Sequence, residues 1–224
     1  MSSDIIKEEV IRKGAEANLH YGHWFGKEVI FKCRIPKKYR IEDLDKVIRR
    51  ARTLNEAKAL IKVKDYGVNV PQVYEIDISS STIIMKYING KKLKTLLNEL
   101  DDVRKHQYFE TIGNFIAFLH KNGHIHGDIT TSNIIITDHE EVFLIDFGLH
   151  EYSDSIEDKS VDLHLLKRVL ISSHGPDWNL CFNAFLEGYK NGYADIDSDE
   201  CKAIIKNISV IETRGRYVKK EERL

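Results

Sequence analysis

The amino-acid sequence predicts an α+β fold in two lobes, a small β-rich one followed by a mostly helical one. Three observations carry this. Short β-branched and aromatic runs at residues 28–33, 72–76 and 82–85 are separated by polar and glycine-containing turns, as strands are. Apolar residues recur at helical spacing over residues 41–63 and again over 101–122. After the second helix comes a dense run of polar motifs, residues 126–148, interleaved with two apolar strand patterns. The lobes are expected to divide as 1–88 and 89–224.

A chain of 224 residues can bury a substantial core, and its 42% apolar and 31% charged residues are ordinary for a globular protein. No apolar run approaches the length of a membrane span, and the opening is too polar for a signal peptide. Cys33, Cys181 and Cys201 are odd in number and far apart, which fits free thiols in a reducing cytoplasm. A net charge of −1 excludes a general nucleic-acid coat but not local basic patches. Residues 34–52 hold eight basic side chains against three acidic ones, and residues 214–223 hold five against two.

Taken in order, residues 4–10 fit a short strand or a frayed turn, and Gly14-Ala15-Glu16-Ala17 forms a small-residue turn. A strand over 28–33 ends near Lys32, and the helix over 41–63 carries Glu56. Two further strands, 72–76 and 82–85, lead into Met85, Tyr87 and Ile88 at the junction of the lobes. Residues 91–100 read as a helix with Leu93, Leu96, Leu97 and Leu100 inward. The clearest helix spans 101–122 on the stripe Phe109, Ile112, Phe115, Ile116 and Leu119, and Gly123 stops it. Residues 153–159 read as an acidic turn, with a helix opening at Val161 and two more at 177–193 and 198–208.

Residues 126–148 contain His126-Gly127-Asp128, Asn133 five residues after Asp128, an apolar hairpin, and Asp146-Phe147-Gly148. This order resembles the catalytic core of the protein kinases, which implies a minimal bilobal kinase-like fold. The chemistry explains the residue types. Phosphoryl transfer from ATP needs a carboxylate at the attacking hydroxyl and oxygen ligands for Mg2+ on the phosphates. Asp128 suits the first role as base, and Asn133 and Asp146 suit the second. The hairpin is expected to bring Asn133 and Asp146 to one end of two paired strands.

The same pattern gives the N-lobe residues roles. Lys32 becomes the lysine on the ATP phosphates, although a strand-edge lysine with a solvated head would look the same in sequence. Glu56 becomes its carboxylate partner; the competing reading is a surface pair with Arg52 one turn away. Gly14, Ala15, Glu16 and Ala17 would cover the phosphates with one glycine where kinases usually have three. Met85, Tyr87 and Ile88 would face the adenine, with plain core packing as the alternative for Met85. His120, His124 and His126 lack a carboxylate or thiol at ligand spacing and read as structural. Asp162 either favours its helix dipole or ties back to the catalytic loop, and the sequence leaves both open. None of the three prolines (Pro36, Pro71, Pro176) follows an alanine, so the usual peptide platform of a protein kinase is not expected after Gly148.

More specific runs narrow the likeness. Gly14-Ala15-Glu16-Ala17, Lys32, Glu56-Ala57, the 126–133 loop, Asp146-Phe147-Gly148, Glu157-Asp158-Lys159 with Val161-Asp162-Leu163, and Arg214-Gly215-Arg216 resemble one family along nearly the whole chain. It is the small kinase-like ATPase subunit of the KEOPS (EKC) complex, which includes the eukaryotic p53-related protein kinase and is close to the RIO kinases. The resemblance implies an atypical serine/threonine kinase working mainly as an ATPase in forming N6-threonylcarbamoyladenosine in tRNA. It also implies binding to the threonylcarbamoyltransferase subunit, to which the family is fused in some archaea, and to a small regulatory subunit. The basic stretches 34–52 and 214–223 are the expected places for a tRNA contact. Two other functions share part of the motif: a small-molecule phosphotransferase of the aminoglycoside or choline type, and a nucleotide-binding regulator with vestigial catalysis.

Overall fold

The computed structural model describes residues 5–193 and 198–217. Its N-terminal part is a five-stranded antiparallel sheet with one long helix. The strands are β1 (Ile5–Lys13), β2 (Ala17–Trp24), β3 (Lys27–Arg34), β4 (Val73–Asp77) and β5 (Thr82–Lys86), in the order β1-β2-β3-β5-β4. Helix α1 (Glu42–Asp65) crosses between β3 and β4. Its acidic first turn (Glu42, Asp43, Asp45) and basic last turn (Lys62, Lys64) both suit the helix dipole. Edge strand β1 is exposed along its length and bulged twice.

The C-terminal part is helical, with a small sheet at the cleft. Strand β6 (Gly90–Lys92), helix α2 (Leu93–Leu96), helix α3 (Asp102–Lys121) and strand β7 (His124–Ile125) lead into the loop that carries Asp128. Strands β8 (Ile134–Thr137) and β9 (Val142–Leu144) form the expected hairpin, with Ile134 paired to Leu144. The Ile145 amide donates to the Asn133 carbonyl at 2.9 Å, so Asn133 and Asp146 do meet at one end. Strand β10 (Glu151–Tyr152) pairs with β7, and helices α4 (Ile156–Ser173), α5 (Trp178–Tyr193) and α6 (Ser198–Tyr217) complete the lobe.

Three expected elements differ. Residues 91–100 are not one helix: Gly90–Lys92 pairs with β8, and only a short helix and a 3-10 turn follow, burying Leu93 and Leu97. That pairing is non-local, so helical spacing of leucines could not reveal it. Helix α4 starts at Ile156 rather than Val161, because Ser155 caps it by accepting from the Asp158 amide at 3.4 Å. The last helix runs past residue 208 to Tyr217, so Arg214 is helical; the rest of the expected basic tail, from residue 218, lies outside the described residues.

Helices α3 and α5 touch backbone to backbone. A Cβ on Gly188 would sit 1.8 Å from the Glu110 carbonyl oxygen, and one on Gly113 would sit 2.0 Å from that of Phe185. One hydrophobic core then runs through both lobes, from Leu60, Val63 and Ile83 to Phe109, Leu144 and Phe185. Between them the Leu144 amide donates to the Asn69 carbonyl at 2.9 Å, tying the loop behind α1 to β9.

Candidate active site

Strand β3 delivers Lys32 into the gap between the lobes, and α1 presents Glu56 to it. Lys32 Nζ lies 2.5 Å from Glu56 Oε1 and 2.7 Å from Asp146 Oδ1. Lys32 and Glu56 are buried, so neither is a solvated surface group. Burial pulls the Lys32 ammonium down, but Glu56 and Asp146 together outweigh it and leave the group above its ordinary value. Burial pushes the Asp146 carboxyl up and Lys32 outweighs that, so its net shift is downward and it stays ionised. The Arg52 alternative for Glu56 is not what forms: Arg52 reaches Glu16 Oε2 at 2.9 Å.

Asp146 sits in the left-handed region at φ 69°, a conformation that costs a non-glycine residue some strain. The Gly148 amide, donating to Asp146 Oδ1 at 3.2 Å, helps hold it. On the catalytic loop Asn133 Nδ2 donates to Asp128 Oδ2 at 2.8 Å and to the Asp128 carbonyl at 3.0 Å. This leaves the Asn133 amide oxygen and the Asp146 carboxylate, 43% exposed, as hard-oxygen donors at the end of one hairpin. A divalent cation such as Mg2+ prefers such a donor set, and the Lys32 ammonium already rests on one of the two groups.

The loop is held from behind by Asp162. Its buried carboxylate accepts from the His126 amide at 2.8 Å, the Gly127 amide at 2.9 Å and His120 Nε2 at 3.2 Å. Of the two readings of Asp162 the structure takes the tie to the catalytic loop; it lies inside α4, away from the helix start. His126 packs against Phe147 in a tilted arrangement with ring centroids 4.6 Å apart, and burial holds it below the usual histidine value. His120 donates or accepts with Tyr189 and Asp162, and His124 faces His150 and Tyr66. Each of the three histidines is engaged by neighbouring groups, and among the described residues no group of three or more His, Cys, Asp or Glu is placed to hold a metal ion.

One cleft brings most of the expected residues together. Gly14, Ala15, Glu16 and Ala17 line it together with Lys32, Asp128 and Asp146. Glu16 is fixed by Arg52, and Lys37 Nζ contacts the Ala15 carbonyl, so the single-glycine turn is pinned to α1 and the segment before it. Met85, Tyr87 and Ile88 lie on the strand and linker beyond the cleft walls, and the Tyr87 amide already donates to the Glu28 carbonyl at 3.1 Å. Asn133 is also set back from the walls, behind Asp128.

Sequence reasoning missed Arg12, Arg34 and Arg52 as lining residues, and His174, whose Nε2 pairs with Thr131 Oγ1 at 2.9 Å. Arg34 had a readable signal: two residues after Lys32 on a strand, it shares that face. The basic stretch 34–52 is less available than its composition suggests. Arg34 is buried on Glu56, Arg40 and Arg49 pair with Asp45, Lys46 with Glu42, and Lys37 and Arg52 with Glu16.

Comparison with known proteins agrees with this geometry. The family model for the RIO domain, an atypical kinase fold, matches residues 32–157. The chain is 40% identical to the KEOPS complex subunit Bud32 of Pyrococcus abyssi, over 93% of this chain and 96% of the relative. It is 40% identical to a probable bifunctional tRNA threonylcarbamoyladenosine biosynthesis protein of Methanosphaera stadtmanae, and 39% identical to that of Methanocaldococcus jannaschii. Those matches cover 95% of this chain but only 38% of the longer relatives. The α+β architecture, with its β-sheet N-terminal part and helical C-terminal part, is the one this family implies. The chain therefore belongs to the RIO-domain family and, within it, to the group of the KEOPS complex subunit Bud32.

Proposed function

We propose that the chain is an ATP-using phosphotransferase and ATPase that acts as a KEOPS subunit in forming N6-threonylcarbamoyladenosine in tRNA, in the cytoplasm. The observation that carries the reading is the joint placement of Lys32, Asp128 and Asp146 in a single cleft, with Glu56 bonded to Lys32 and Asn133 bonded to Asp128 behind them. In this reading residues 1–88 form the lobe that covers the nucleotide and residues 89–224 the lobe that carries the acceptor side.

Asn133 and Asp146 would hold Mg2+, which when bound would neutralise charge on the phosphates of ATP. The protein's own groups do the rest. Lys32 turns from Asp146 toward the phosphates while Glu56 keeps its stem in place. The Gly14–Ala17 turn offers backbone amides with little side-chain bulk, and Met85, Tyr87 and Ile88 bound the adenine end. Asp128, oriented by the Asn133 amide, accepts the proton of the attacking water or serine hydroxyl. The names of the relatives support the KEOPS and tRNA assignments; in this reading the partners are a threonylcarbamoyltransferase subunit and a small regulatory subunit. For tRNA, Lys38 and Arg50 are the cations of stretch 34–52 without an ion pair among the described residues, and residues 214–223 are the second contact.

A small-molecule phosphotransferase for cationic substrates is disfavoured by the cleft itself. Arg12, Lys32, Arg34 and Arg52 line it against Glu16, Asp128 and Asp146. The test is phosphate release from Mg-ATP by the chain alone and with tRNA and partner proteins, followed by the modified-adenosine content of tRNA from a strain lacking the gene. Normal modification in that strain together with no hydrolysis in vitro would defeat the reading.

A further inference from the structure

Arg34 stands two residues after Lys32 on β3, and strand alternation puts both side chains on the same face. Both are buried, at 6% and 7% exposure, against Glu56 at 1%. Glu56 is divided between them: Oε1 takes Lys32 at 2.5 Å and Oε2 takes Arg34 Nη2 at 2.7 Å. Lys32 is itself divided, because Asp146 Oδ1 lies 2.7 Å from the same Nζ.

The guanidinium is not held in place by a web of structural bonds. Its Nε is buried without a hydrogen-bond partner, an unmade donor that costs free energy and calls for a reason at this position. The compensating contact here is Glu56. Arg34 also packs on the segment after Asp146: a Cβ on Gly148 would lie 3.4 Å from Arg34 Nη2 and 3.0 Å from Asp146 Oδ1.

We propose that Arg34 is a positioning residue, holding Glu56 so that Lys32 can leave Asp146 without stranding a buried carboxylate. The inference rests on reading the cleft as a nucleotide site. A carboxylate with a single cationic partner in the interior binds that partner tightly, because losing it leaves an uncompensated charge. With Lys32 alone, Glu56 would lock the ammonium in its present place, on Asp146 as well. A second cation removes the conflict. Arginine suits the task because its fork stays charged and carries several donors. Lys32 is then able to lean either way while α1 stays in register, and Asp146 is released to act as an oxygen donor.

The test uses the full chain and a non-hydrolysable ATP analogue. Binding is followed by calorimetry across a magnesium titration, with circular dichroism confirming the fold. In Arg34→Met the Mg2+ concentration that gives half of the magnesium-dependent gain in affinity should rise about tenfold, the size of one charge-assisted hydrogen bond. Analogue binding without Mg2+ is recorded beside it as the baseline, because Arg34 itself lines the cleft. Arg34→Gln, which removes the charge but keeps a donor, is read in its place if the methionine variant does not fold. A folded variant with the wild-type magnesium curve overturns the proposal. Failure of both variants to fold also overturns it, since Arg34 would then serve the fold alone. A wild-type chain that does not bind the analogue would remove the nucleotide reading and leave the Arg34 question with no site to serve.

Discussion

Asn133 holds Asp128 twice, donating its side-chain amide to both the carboxylate at 2.8 Å and the backbone carbonyl at 3.0 Å. Orientation of the Asp128 carboxylate is thus built into the loop before any ligand arrives. Asp128→Ala should cut turnover roughly 10²–10⁴-fold, the usual contribution of a positioned base, while leaving nucleotide affinity near wild type. Phosphate release and calorimetry on the same preparation check this; undiminished turnover would remove Asp128 from the mechanism.

Asp146→Asn separates charge from backbone geometry. Asparagine accepts the left-handed φ of 69° as readily as aspartate, so the variant should fold. It loses the anion that Lys32 now holds, and the magnesium-dependent part of nucleotide binding should disappear with it. A magnesium titration that matches the wild type would show that the metal sits elsewhere.

Asp162 is the acceptor for three buried donors, so its loss is a stability effect first. Asp162→Ala leaves the His126 and Gly127 amides and His120 without their partner. At about 1–3 kcal/mol for each stranded donor the variant should lose several kcal/mol. Asp162→Asn, which keeps one acceptor oxygen, should lose about half as much on the same scale. Thermal denaturation of the two variants gives the comparison, and equal melting points for Asp162→Ala and wild type would contradict it.

Acid should weaken the fold through His150. Burial, then the charges of His124 and His126, brings its pKa down to about 4. His124 is also lowered, chiefly by burial, and its Nδ1 lies 2.9 Å from His150 Nε2, a contact that needs one unprotonated ring. Between the folded value of about 4 and the ordinary 6.5, the unfolded chain binds a proton that the folded chain refuses. Stability contributed by the neutral ring is therefore complete above pH 6.5 and lost as pH falls toward 4. The effect should be on the order of 2 kcal/mol for this partly buried group. Urea midpoints measured across that window should fall in the wild type and less steeply in His150→Gln; parallel slopes would assign the effect to other groups.

Much of this was readable from the sequence because the informative contacts are local. Asp128 and Asn133 lie in one loop, and the hairpin joining Asn133 to Asp146 follows from two apolar runs around a polar turn. The tie from Asp162 to His126 spans 36 residues and stayed open, since nothing in spacing says which surface a helix turns toward the loop. The start of α4 escaped because apolar periodicity begins only at Val161, although Ser155 with Asp158 three residues later is a readable capping pattern. Pairing inside the 34–52 stretch was invisible for a different reason. Composition counts cations, whereas availability depends on which carboxylates the fold brings beside them, and Asp45 and Glu16 take four of the eight.

The hydrogen bond from Leu144 to Asn69 has a mechanical consequence. It joins the loop behind α1 to β9, while among the described residues the Gly14 turn has no backbone hydrogen bond to the C-terminal part. Any motion that widens the cleft and keeps this bond must swing about the rear edge like a jaw about its joint. Ile83 and Leu60 share the buried core with Leu144, whereas the Gly14 turn lines the cleft. In the nucleotide reading proposed above, entry and release would be gated by the Gly14 turn.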